Sequence, residues 1–147
     1  MHNRNSLLPG SRADDAYGLI YEGCGGSVLS ICVYQSFKEV GLSAWRRVGH
    51  PLVPPGMIFA RPDMVEESLA VADWVRLTRM VRHADFWALP KTGGGSGLDG
   101  WTWTIEGRKG KRYHSCRSWC ASISPAFRKL GKLLVELSGL QVPRDVP

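Results

Sequence analysis

The sequence is short of several things, and each absence removes a class of protein. No apolar run approaches the roughly 20 residues that a helix needs to cross a bilayer. The opening "MHNRNSLLPGSRADD" has no apolar h-region of about 7–15 residues, so it does not read as a secretory signal. The expected compartment is therefore the cytoplasm, with no membrane partner and with residues 1–15 as a disordered polar leader. Cys24, Cys32, Cys116 and Cys120 form no C-x-x-C pair, and structural zinc sites usually carry two such knuckles. Four buried free thiols are the expectation for a cytoplasmic chain. Cys116 and Cys120, with His114 just before them, remain weak candidates as metal ligands. Three disulfide connectivities would be open to an exported chain. His2, His50, His83 and His114 show neither HExxH nor H-x-x-x-H spacing, and no serine sits in a G-x-S-x-G elbow. No cofactor is expected.

What is present reads as one folded domain. The chain has 147 residues, 44% hydrophobic and 22% charged, enough for one core and few for two. The expected boundaries are a domain over 16–141 and a proline-broken tail over 142–147. Net charge is +6, and its distribution is uneven. Between Glu106 and Glu136 there is no acidic residue, while Arg108, Lys109, Lys111, Arg112, Arg117, Arg128, Lys129 and Lys132 fall in that window. Such a surface attracts acidic partners. It also reads, more plainly, as a solvated hairpin tip plus the outer face of a helix.

The first half is rich in short strand signals. "YGLIYE" (Tyr17 to Glu22) and "SVLSICVY" (Ser27 to Tyr34) flank a turn at Gly25-Gly26. "QSFKEVG" allows a second reversal before Leu42 to Val48. Met57 to Ala60 is a candidate fourth strand, stopped by Pro62. The period then changes. Val71, Trp74, Leu77 or Thr78, Val81 and Ala84 recur at helical spacing, with Asp73, Arg76, Arg79 and Arg82 on the other side. This predicts a helix from about Leu69 to Ala84. Asp63 with Glu66 resembles a capping box, and Ser68 is a second candidate N-cap. Phe86, Trp87 and Leu89 follow the helix, and Pro90 closes the unit.

"KTGGGSGLDGWTWTIEGRKG" comes next. Its glycines precede a strand rather than a helix, and its Lys91-Thr92 precede the glycines, so no phosphate loop is expected. The run reads as a mobile connector. In "WTWTIE", Trp101, Trp103 and Ile105 alternate with threonines and Glu106, a period of two with one apolar face. "KRYHSCRSW" is the return strand. A three-residue loop Arg108-Lys109-Gly110 would set Ile105 opposite Tyr113 and Glu106 opposite Arg112, with Gly110 at φ > 0. A two-residue loop would instead set Trp103 against His114. The last element is a helix with Ser124 as N-cap, Pro125 at its first position and Gly139 past its end. Phe127, Leu130, Leu134 and Leu137 form its apolar stripe. The expected fold is α+β: a mostly antiparallel sheet in the order β-β-β-(β)-α-β-β-α, with two amphipathic helices packed on one face.

Phe86, Trp87, Leu89, Pro90, Asp99, Gly100, Trp103, Glu106, Gly107, Tyr113, His114, Arg117 and Trp119 together resemble a family of small bacterial proteins. Its pattern runs Phe-Trp-x-Leu-Pro, Asp-Gly-x-x-Trp-x-x-Glu-Gly, Tyr-His, Arg-x-Trp, then a leucine-rich helix. The resemblance covers about the last 75 residues. Ser118 and Cys120-Ala121 depart from the turn expected after Arg117. The family has no established activity, so the resemblance implies a fold outline and a polar set, and it leaves the cysteines outside the pattern.

Three functions compete. Asp99, Glu106 and His114, weak catalytic candidates, supply the carboxylate and imidazole that acid–base work requires. The bland reading makes Asp99-Gly100 a turn and Glu106 a cross-strand partner. Trp101, Trp103, Tyr113 and Trp119 among cations suit single-stranded nucleic acid, except that core-facing rings cannot stack on bases. The reading preferred from the sequence is a small non-enzymatic interaction domain, an adaptor, inhibitor or immunity-like protein. Its eight cations, Arg108 to Lys132, would bind an acidic protein.

Overall fold

The structure is a computed structural model, which describes residues 15–23, 26–37, 39–47, 63–93, 95, 100–120 and 123–140. Along the chain come β1 (Asp15–Glu22), β2 (Val28–Gln35), β3 (Val40–Arg47), β4 (Asp63–Ser68), α1 (Val71–His83), β5 (Thr92–Gly93), β6 (Thr102–Lys109), β7 (Arg112–Trp119) and α2 (Pro125–Ser138). The strands form one sheet in the order β4-β3-β2-β1-β6-β7-β5. Every pairing is antiparallel except that of β5 with β7. This is the expected α+β architecture. The first four strands form a meander, α1 carries the chain back across the sheet, and β6 enters beside β1.

Side chains alternate along strands, so the register sorts them onto two faces. One row reads Leu42, Val33, Tyr17, Gly107 and His114 across β3, β2, β1, β6 and β7. The next reads Ala44, Ile31, Leu19, Ile105 and Cys116. These rows join Trp74, Leu77 and Val81 of α1 and Phe127, Leu130, Leu133 and Leu134 of α2 in the main core. Both helices therefore lie on this face, which is the helical face below. Arg76 of α1 makes paired hydrogen bonds of 2.9 and 3.0 Å to Glu136 of α2. Both side chains are more than half exposed, so this bridge adds little to the apolar contact beneath it.

α2 is built as its sequence announces. The Ser124 hydroxyl accepts from the Phe127 N–H at 3.0 Å, Pro125 opens the helix, and Gly139 closes it at φ +64°. α1 starts at Val71, and its N-cap is Ala70, which has no capping side chain. The expected capping box at Asp63 and Glu66 and the N-cap at Ser68 are corrected, since all three belong to β4. This strand is exposed at five of its six positions and lacks the apolar alternation that marks a strand in sequence. Its partner β3 defines it, through backbone pairing from Gly41↔Ser68 to Arg46↔Asp63. The candidate strand at 57–60 lies outside the described residues.

Two further expectations change. The β6–β7 hairpin pairs Lys109 with Arg112, Ile105 with Cys116 and Glu106 with Ser115, so neither anticipated register occurs. The loop is Gly110-Lys111. Gly110, at φ +57°, takes the first of the two turn positions, where type II′ turns place glycine. Its N–H donates to Asp15 Oδ1 at 3.1 Å, a contact from a strand 95 residues away that sequence pairing rules do not contain. The start of the glycine run is also more ordered than a connector. Thr92-Gly93 pairs with Arg117-Ser118, and the Arg117 N–H donates to the Lys91 carbonyl at 2.8 Å. The expected leader and tail, 1–15 and 142–147, lie outside the described residues apart from Asp15, which opens β1.

The closest backbone approach in the core is at Gly131 of α2. A Cβ there would sit 2.0 Å from Cζ3 of the fully buried Trp103. In an ordinary helix, Gly→Ala stabilises by about 1 kcal/mol. Gly131→Ala is expected to do the reverse, lowering stability by about 1–3 kcal/mol through overpacking. Urea unfolding measures the sign; a stabilised variant would show that the helix does not rest on Trp103.

Candidate functional site

Asp15, Gln35, Val40, Lys109 and Arg112 stand at one level of the sheet. Two hairpin tips therefore project from the same end, separated by about three strand spacings, or about 14 Å. The β6–β7 tip carries Lys109 and Lys111, both exposed, with Arg112 beside them. The Arg112 guanidinium lies 4.6 Å from the Trp87 ring centroid, a stacked arrangement in which the ring faces positive charge. The β2–β3 tip is closed by the Ser36 N–H donating to the Glu39 carbonyl at 2.9 Å. At its apex Phe37 is 95% exposed. In the sequence this segment shows only the signals of a chain reversal. The available signal was an aromatic residue isolated in the polar stretch "QSFKEVG".

The eight cations expected to form one basic surface do not share a plane. Arg108, Lys109, Lys111 and Arg112 gather at the tip. Arg117 lies on the other face from the helices, 3.6 Å from Glu22. Arg128, Lys129 and Lys132 sit on α2, which starts after the far end of β7. The hairpin alone concentrates charge beside an exposed aromatic ring.

The polar set separates in the same way. His114 pairs with Gly107 and Glu106 with Ser115. Their side chains thus project from opposite faces of the sheet. His114 packs at 5.2 Å from the Phe86 ring and 6.4 Å from that of Trp87, on the helical face. Its Nε2 has no hydrogen-bond partner among the described residues. Glu106 is 3% exposed, and its Oε1 accepts from the Tyr113 hydroxyl at 3.0 Å. Asp99 lies outside the described residues. Gly107 belongs with the packing: a Cβ there would meet Phe86 at 2.5 Å and Tyr17 at 3.1 Å. Phe86, Trp87, Gly107 and His114 are neighbours because α1 ends by turning Phe86 into the core. That turn runs through Asp85 at φ +48°.

No described helix covers the second face. Its floor is small: Ala16, Gly18, Ser30, Cys32 and Ser43. Ala16 and Cys32 form a minor apolar cluster with Tyr34 packed against it. Toward the β4 edge is a groove of about 380 Å³ bordered by Tyr34, Glu39, Gly41, Ser43, Glu66 and Ser68. Its carboxylates make it acidic in a chain of net charge +6.

Cys32, Cys116 and Cys120 are free thiols. Cys116 faces the helices and Cys32 the other side. Among the described residues, no three His, Cys, Asp or Glu side chains gather to hold a metal ion. Burial pushes the Cys32 thiol from the usual 9.0 up to about 12; the Glu106 carboxylate adds to this and Arg108 opposes it. Burial alone raises Cys116 to about 11. The Tyr17 phenol is raised as well, by burial and then by the charge of Asp15. In each case the unfolded chain releases its proton first. Stability from these groups is full below the unfolded values and falls as pH rises through the folded ones. The urea midpoint should stay level to about pH 9 and decline toward about pH 11. Iodoacetamide at about pH 8 should leave Cys32 and Cys116 unmodified in the folded chain, as thiols and not thiolates. Rapid labelling of either under native conditions would contradict their placement.

A scan of the chain against protein-family models found no match, and a search of curated proteins found none either.

Proposed function

We propose that this domain is a binding module that engages an acidic protein surface through the basic end of its sheet. The observation that carries this reading is Phe37, 95% exposed, at the same sheet end as Lys109, Lys111 and Arg112. A phenylalanine side chain gains about 1.5–3 kcal/mol when it leaves water. An apolar anchor beside cations is the usual composition of a contact surface, in which the anchor supplies affinity and the charges supply orientation and encounter rate. Asp15 holds the hairpin turn in place through its bond to the Gly110 N–H, so the cations are presented on a fixed scaffold.

The rival readings have less support. Of the rings suited to stacking on bases, Trp103 is fully buried, Trp101 and Trp119 are half-buried, and Tyr113, 43% exposed, is tied through its hydroxyl to Glu106. Glu106 and His114 on opposite sides of the sheet count against a shared proton transfer.

The test places a photo-reactive benzophenone amino acid at position 37 and irradiates the chain in extract of its native host. One adduct with an acidic protein surface is expected, at fixed stoichiometry. Lys109→Glu/Lys111→Glu should reduce it about tenfold, and Lys129→Glu/Lys132→Glu on α2 should leave it unchanged. The opposite ranking of the two variants would refute the reading. Salt-sensitive retention of an oligonucleotide in place of a protein adduct would favour nucleic acid instead.

A further inference from the structure

We infer that the open edge of β4, with the acidic groove beside it, takes an extended basic segment of a partner protein as a further strand of the sheet. This surface lies across the sheet from the basic hairpin and does not depend on what the hairpin binds.

The observation that carries the inference is a row of backbone groups that the sheet leaves unused. β4 stands first in the order β4-β3-β2-β1-β6-β7-β5, so β3 is its one strand neighbour among the described residues. The Leu69 N–H donates to the Val40 carbonyl at 2.9 Å. Along an antiparallel pair, residues that exchange backbone hydrogen bonds alternate with residues that turn theirs away. Counted from Leu69, the ladder to β3 uses Glu67, Val65 and Asp63, and Met64, Glu66 and Ser68 direct their N–H and C=O groups outward. All three are exposed. The register from Gly41↔Ser68 to Arg46↔Asp63 is continuous, without a bulge, and β4 contains no proline. Bulges and prolines are devices that close an edge to a further strand, and β4 has neither.

Charge, a third such device, here chooses the occupant. Asp63 is bound to Arg46. Glu66 on the helix-free face, Glu67 on the helical face and Glu39 just before β3 are exposed, and among the described residues none of the three makes an ion pair. The cations of β3, Arg46 and Arg47, stand at the far end of the strand from Ser68. A second β4 laid alongside would set like charges together, which destabilises a sheet. A strand with lysine or arginine at alternate positions would set opposite charges together. The carboxylates that keep two copies apart therefore admit a basic strand.

The groove seats one of those cations. Gly41 and Ser43 form its floor on β3, with Tyr34 on one side and Glu66 and Ser68 on the other. The Tyr34 ring lies over Gly41 and leaves no room there for a Cβ. A residue opposite Ser68 on the added strand projects its side chain on this face. Only the short serine separates it from the groove, across one strand spacing of about 4.8 Å. The four-carbon stem of lysine passes over it and brings the ammonium toward Glu39 and Glu66. On the helical face, a residue opposite Val65 extends the row of Ala44 and the half-buried Val65. The fitting segment thus alternates basic and apolar residues; its main chain supplies affinity and its side chains supply specificity.

The experiment is amide hydrogen exchange, read by NMR on the whole chain, with a peptide of about ten residues alternating lysine and valine as the probe. In the free chain, the Met64, Glu66 and Ser68 amides should exchange fast and those of Val65 and Glu67 slowly. With peptide at about ten times its Kd, the three outward amides should slow about tenfold. The same peptide N-methylated along its backbone keeps its charge, loses its donors and should give no protection, and a glutamate–valine peptide should not bind. Glu66→Gln/Glu67→Gln should raise the Kd about fivefold. Glu66→Pro removes one outward donor, which an edge strand tolerates, and should abolish protection with unchanged circular dichroism. If that variant unfolds, the N-methylated peptide makes the same discrimination on the unaltered chain. No protection by the lysine peptide, or equal protection by its N-methylated form, would overturn the inference. Outward amides already protected in the free chain would overturn it too: protection that fades on dilution would give the edge to a second copy, and protection at every concentration to another segment of this chain.

Discussion

The pairing of β1 with β6 is the constraint on which the rest depends. It runs the full length of both strands, from Glu22↔Thr102 to Asp15↔Lys109, and joins an N-terminal meander to a C-terminal hairpin 80 residues later. Without it, each half would be a narrow sheet with one exposed apolar side. With it, Tyr21, Leu19 and Tyr17 align with Trp103, Ile105 and Gly107, and one continuous apolar face results. Both helices can then bury their stripes against the same surface. A shift of one residue in this register would move every one of those side chains to the opposite face.

The same register decides the chemistry. Because β6 has its odd-numbered residues toward the helices, Glu106 is delivered to the helix-free face and the Trp103–Ile105 pair to the core. The β7 pairing then sends His114 to the helices, among Phe86 and Trp87. Residues that look like one polar constellation along the chain become two environments separated by the thickness of the sheet. Glu106 is held by a tyrosine hydroxyl, and His114 by aromatic edges. The residues around them are held by packing: Phe86 needs Gly107 beneath it, and Trp87 has Arg112 above it.

Charge has a comparable two-level history. The acid-free window from Gly107 to Val135 is a property of the sequence, but folding disperses it over a hairpin tip, a sheet face and a helix. The acidic counterpart arises the other way. Glu39 and Glu66 are 27 positions apart and unremarkable in sequence, and the β3–β4 pairing brings them to one groove.

Whatever is local and periodic is legible in the chain itself. Ser124, Pro125 and Gly139 bracket α2 because caps act within one helical turn, and the 3.6-residue recurrence from Val71 to Ala84 marks α1. The alternation of Trp101, Trp103 and Ile105 marks β6, since period two is a property of the strand itself. The α+β class follows from the order of those signals. Elements whose stability is borrowed from a neighbour emerge only on folding. β4 is a strand because β3 offers it a ladder, β5 because β7 has an open edge, and the hairpin register because Asp15 grips its turn. Backbone hydrogen bonds between distant segments leave no periodic trace in side-chain identity, and which face a side chain occupies is fixed by pairing. For that reason the location of the candidate surface, with Phe37 beside the basic hairpin, was visible in the fold and not in the chain.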